Sequence, residues 1–103
     1  MLFRSPGPAY VHILSVCPTG WRLPPNKAIW IGRLAVETGV FPLFEVVDGN
    51  YRLTHEVDEP RPVEEYLRPQ GRFRHLTPEL IETIQVRVKK EYDKLITKTK
   101  IKF

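Results

Sequence analysis

The 103-residue chain has room for one small domain, which at this size buries only about two-thirds of its unfolded surface and leaves no core for a second. Its 42% hydrophobic and 27% charged residues exclude an intrinsically disordered chain, and the net charge of +4 sits mostly between Arg87 and Lys102, a basic end rather than a basic protein. One cysteine excludes an internal disulfide, no apolar run approaches the roughly 20 residues of a membrane helix, and the N-terminus lacks the layout of a secretory signal, so the expected location is cytoplasmic with no membrane partner.

Ten prolines cluster at Pro6/Pro8, Pro18, Pro24/Pro25 and Pro60/Pro62/Pro69, so much of the backbone is expected to run as extended connections against a larger body. Residues 1–8, with SPGP, read as an irregular lead-in. From Ala9 to Val16 the chain is apolar almost without alternation, which predicts a short strand buried on both faces as in a parallel sheet. It stops at Cys17, and Pro18, Thr19 and Gly20 then predict a loop. Asn26 reads as an N-cap for a helix over Lys27–Thr38, closed by Gly39, with Ala28, Ile31, Leu34, Ala35 and Thr38 as its inner stripe. Trp30 falls on the polar side, either as a lid over a neighbouring segment or as a contact for another chain.

FPLFEVV and YRLTHEV flank Asp48-Gly49, the strongest short signal for a type I′ hairpin, over Phe41–Val57. Tyr51, Leu53, His55 and Val57 share one face, with His55 expected as a half-buried packing residue. Asp58 to Pro69 reads as an acidic, proline-rich link that becomes a short helical turn in VEEYL and drapes rather than packs. Thr77 and Pro78 then supply an N-cap and an N1 proline for the best helix of the chain. Its apolar row is Leu80/Ile81, Ile84, Val88, Tyr92 and Leu95, and it is expected to fray beyond Ile96.

Taken alone, Cys17 reads as a buried structural thiol, since free cysteine packs as a small hydrophobe. His12, on the preceding segment, has the opposite parity and is not positioned to activate it. One cysteine with His12, His55 and His75 shows no ligand spacing for a metal site within the chain, where about four ligands are normal. Phosphate loops and a G-x-G-x-x-G pattern are absent from the sequence. Arg72, Phe73, Arg74 and His75 have the crude form of a nucleic-acid stacking groove, weighed against a solvated basic face.

Three stretches in order, GPAYVHILSVCPTGWRLPPNKAIWIGRLAVETGVFPLFEV, PVEEYLRPQGRFRHLTPE and the helix that follows, resemble the C-terminal portion of the β subunit of pyruvate and related 2-oxoacid:ferredoxin oxidoreductases. The resemblance implies an α/β fold class: a C-terminal fragment of a thiamine diphosphate-binding domain, with buried strand, helix and β-hairpin over residues 1–57. An extended arm and a long amphipathic C-terminal helix would follow over residues 58–103. It further implies that Cys17 matches the last of four cysteines holding a four-iron four-sulfur cluster. The family's CxxC pair and its GDG-to-Asn stretch, which binds magnesium and the diphosphate, do not occur in this sequence, and Val16 stands where the family commonly has proline. The implied partners are the remaining β-subunit region and other subunits of the oxidoreductase, ferredoxin through the complex, and coenzyme A and a 2-oxoacid as substrates of the complex. Nucleic acid is not among them. A non-catalytic scaffold or regulatory remnant is the alternative within the family, and a small basic nucleic-acid-binding module the alternative outside it.

Overall fold

Pro18, pre-set at a helical φ, opens a four-residue helical turn, α1 (Pro18–Trp21), which ends on Arg22 in the left-handed region at φ 55°. The computed structural model describes residues 7–101, so most of the SPGP lead-in and the last two residues of the basic end lie outside the described residues. After a 3₁₀ turn over Pro25–Lys27 comes α2 (Ala28–Glu37). Asn26 lies inside that turn and Lys27 takes the N-cap position without a side-chain bond, so the expected Asn26 cap does not form. The C-terminal stop is as expected: Gly39, at φ 86°, lets the chain leave the helix where a Cβ would stand only 3.3 Å from the Tyr92 ring.

The hairpin pairs β1 (Leu43–Val47) antiparallel to β2 (Asn50–His55), with Val47 opposite Asn50 and a bulge between Leu43 and Phe44. Asp48 at φ 53° and Gly49 at φ 81° form the two-residue turn with both central φ angles positive, as type I′ requires. Phe44 stacks on Tyr51, and Glu45 bonds Arg52 on the other face at 2.6 Å. Tyr51, Leu53 and Val57 are half-buried, the Val57 amide donating to the Tyr92 hydroxyl at 3.3 Å. His55 is exposed instead of packing.

The link is where the core departs most from expectation. Val63, at the head of α3 (Glu64–Leu67), is fully buried, and so are Tyr66, Leu67 and Gln70, each at 4% exposure or less. Val63, Tyr66 and Leu67 join Leu23, Ile31, Leu34, Ala35 and Ile81 in one cluster, so this segment packs as the centre of the chain rather than draping over it. Helix α4 (Pro78–Thr99) starts as predicted at the Thr77 cap, whose hydroxyl accepts from the Leu80 amide. Ile81, Tyr92 and Leu95 are its buried positions, and Gln85 reaches across to accept from the Val63 amide at 2.7 Å. The helix runs to Thr99 rather than fraying after Ile96; Thr97 and Thr99 hydroxyls donate to the Asp93 and Ile96 carbonyls in its last turn.

The buried strand expected over Ala9–Val16 does not form. Among the described residues the sheet has two strands, β1 and β2, and Tyr10 and Ile13 stand 86% and 73% exposed. A parallel strand needs neighbours on both sides, and the described residues supply none. Leu14 and Val16 still turn inward against the core, so the end of the segment is fixed as it reaches Cys17. The radius of gyration, 15.6 Å, exceeds the about 13 Å of a closed domain of this length, in keeping with an α/β fragment that leaves apolar surface uncovered.

Candidate functional site

Cys17 is exposed, which overturns the buried-thiol reading drawn from its residue type. The reason is local: with Pro18 fixing the first helical residue, Cys17 becomes the N-cap of α1, and an N-cap side chain points out over the free amides. Its sulfur accepts from the Gly20 amide at 3.4 Å, while its carbonyl accepts from the Trp21 amide at 2.8 Å. A Cβ on Gly20 would sit 3.1 Å from that sulfur, so the glycine gives the thiol its room. The predicted loop is thus a helical turn with the sulfur at its start.

Trp21 ties the turn to the body. Its ring meets Tyr66 edge-on, with 6.5 Å between centroids, and its face takes the Arg72 guanidinium at 3.9 Å. Phe73 flanks the same guanidinium at 4.5 Å. Arg72 also donates from Nε to Gln70 Oε1 at 2.7 Å, and Gln70 donates from Nε2 to the Tyr66 carbonyl at 2.7 Å. Beside it the Gly71 amide donates to the Arg22 carbonyl at 2.9 Å. CPTGW and QGRF, about fifty residues apart, therefore form one joint.

The other candidates are not brought together. His12 leans edge-on against Phe41, at 5.1 Å between centroids, while His55 and His75 are exposed. Among the described residues no group of three or more His, Cys, Asp or Glu could hold a metal ion. Of the supposed stacking groove, Arg72 is engaged inside the molecule, leaving Arg74 and His75 free of that sandwich. Trp30, 44% exposed, rims a shallow groove with Leu34, Pro62, Arg68 and Pro69, and Lys27 lies 5.3 Å from its ring. In that groove Arg61 bonds Glu65 at 2.8 Å and approaches Glu37 at 3.5 Å; hydrogen bonding from Arg61 holds the Glu65 carboxyl below the usual carboxylate range. Gln70 and Gly71 are the site residues that periodicity misses, and Arg72, read from sequence as part of a stacking groove for nucleic acid, stacks within the chain instead.

No family model matches the chain. Individual proteins do, and their common class is that of 2-oxoacid oxidoreductase subunits. The chain is 54% identical to the pyruvate synthase subunit PorB of Methanocaldococcus jannaschii over 79 residues, 77% of this chain and 26% of that subunit. It is 46% identical to the ketoisovalerate oxidoreductase subunit VorB of Pyrococcus horikoshii over 94 residues, 89% of this chain and 30% of the relative. With the PorB subunit of Methanothermobacter marburgensis the identity is 52% over 79 residues, covering 77% and 27%. The chain belongs to this family, matching the C-terminal portion of its β subunit. It spans about a quarter to a third of the length of these relatives. No helix among the described residues is long and apolar enough to cross a membrane.

Proposed function

We propose that this chain works as part of a 2-oxoacid:ferredoxin oxidoreductase β subunit, in which Cys17 supplies one thiolate to a four-iron four-sulfur cluster. The reaction of the whole enzyme would convert a 2-oxoacid anion and coenzyme A into the acyl-coenzyme A and carbon dioxide, the thiol proton of coenzyme A being released and two electrons passing singly to two ferredoxins. Residues 1–57 would complete the thiamine diphosphate- and magnesium-binding domain, and residues 58–103 would serve as the arm and helix that brace it. The carrying observation is the exposed sulfur at the head of α1 with an amide N–H directed onto it. Clusters are held by thiolates, and N–H donors to the sulfurs tune them.

The donor chemistry fits one quarter of a cluster and no more. Cys17 is the chain's single cysteine, so the other three thiolates would come from residues outside it. When bound, the cluster supplies a one-electron store between the substrate and ferredoxin. This chain's own part would be to hold the sulfur exposed, where the iron of a cluster can reach it, while Trp21 and Leu23 anchor the turn behind it. The test is Cys17→Ser in the assembled enzyme. Loss of the cluster's visible absorption together with ferredoxin reduction is expected. Full retention of both refutes the ligand role and leaves the chain as a non-catalytic scaffold.

A further inference from the structure

We propose that Arg72 is a positioning residue for Cys17, holding the α1 turn in register through Trp21; its bearing on electron transfer rests on the ligand reading given above. A helical turn of four residues cannot sustain itself, since nucleation fixes several dihedrals for the return of one hydrogen bond. Helix α1 buries none of its own residues, and it ends on Arg22, a side-chain-bearing residue in the left-handed region. The turn must therefore be held from outside. The QGRF segment supplies much of that hold, with Tyr66 and the buried Leu23 beside it.

The guanidinium lies between two rings, 3.9 Å from the Trp21 centroid and 4.5 Å from that of Phe73, and its Nε is aimed by Gln70. Gln70 is 1% exposed and is itself fixed by its bond to the Tyr66 carbonyl. A flat cation with two faces suits this slot, whereas the compact ammonium of lysine can keep the charge but not the double stack. One residue further, the Gly71 amide takes the carbonyl of Arg22, immediately behind the turn. Two contacts from one three-residue segment thus bear on the position and angle of α1, beside the Trp21–Tyr66 contact and the buried Leu23. The cysteine at its N-cap inherits both.

The experiment is amide hydrogen exchange by NMR on the full chain. In α1 the informative amides are Trp21, bonded to the Cys17 carbonyl, and Leu23, bonded to the Pro18 carbonyl. Losing two stacking contacts and a charge-assisted hydrogen bond in Arg72→Ala is expected to accelerate exchange at these amides about tenfold. Exchange at Ile84 and Val88 in α4 stays as in the wild type, Arg72→Lys falls between, and Arg74→Ala, at an exposed neighbour, changes nothing. Unchanged exchange at Trp21 and Leu23, or an equal acceleration in α4, overturns the proposal. Should Arg72→Ala fail to fold, Arg72→Lys decides on the same amides. If Cys17→Ser leaves cluster absorption intact while Arg72→Ala frees the turn, the ligand reading falls and the clamp stands; the opposite pair of results does the reverse.

Discussion

Gly71→Ala tests the joint between CPTGW and QGRF by adding one methyl group. A Cβ built on Gly71 lies 2.6 Å from the Arg22 Cβ and 3.0 Å from the Arg22 carbonyl oxygen. Carbon pairs pack best at about 3.5–4.0 Å, so the two segments must separate by about 1 Å. Neither neighbour is the loose end of a side chain; both belong to, or sit next to, the backbone. Overpacking of this kind costs about 1–3 kcal/mol. Stretching the Gly71 amide away from the Arg22 carbonyl adds about 0.5–1.5 kcal/mol, and the stiffer unfolded chain returns about 0.4–1 kcal/mol. The net is a destabilisation of about 0.5–4 kcal/mol, a drop in Tm of at least about 2 °C for a domain of this size. Thermal unfolding followed by far-UV circular dichroism measures it, with tryptophan emission reporting on Trp21. A variant as stable as wild type, or more stable, refutes the close approach of the two segments.

Gly32→Ala should do the opposite: it lies inside α2, its Cβ would meet Val16 at an ordinary 3.4 Å, and a gain of about 0.5–1 kcal/mol is expected in denaturant midpoints. A loss there would mean that Val16 is held more tightly against α2 than this spacing implies. Acid should weaken the α2–α3 groove through Glu65, whose carboxyl is lowered by its hydrogen bond from Arg61. A lowered folded value means that the unfolded chain takes up the proton first, so the stabilisation is present above the ordinary carboxylate range and fades as pH falls through the lowered value. Glu65→Gln should flatten that part of the Tm–pH curve; an acid limb identical to wild type would refute the contribution.

Helix α2, the hairpin and the start of α4 were legible because each carries a short-range signal that tertiary structure reinforces: Gly39 at a positive φ, Asp48-Gly49 at a type I′ turn, Thr77-Pro78 at a cap. The centre of the core was not. Val63, Tyr66, Leu67 and Gln70 have helical spacing of three, one and three, but Pro62, Pro69 and the two glutamates between them give the segment the composition of a link. Ala9–Val16 failed for the converse reason: its pattern is that of a parallel strand, and pairing is a property of neighbours. The burial of Cys17 was misjudged by residue type, since its exposure follows from the cap geometry that Pro18 imposes. Arg72 was singled out for nucleic-acid stacking rather than for Trp21, because a cation between rings has no periodicity that tells which rings it meets.

Gln70 gives the joint a direction. Hydrogen bonds run one way through it, from the Arg72 guanidinium into the amide oxygen and from the amide nitrogen out to the Tyr66 carbonyl. Only a side chain that accepts at one tip atom and donates at the other can continue this relay, and each bond polarises the next. Glutamate would keep the inbound half and set a carboxylate oxygen against the carbonyl; methionine would keep neither. A buried amide thus works as a one-way coupling, fitted by its chemistry to a cation on one side and a peptide oxygen on the other.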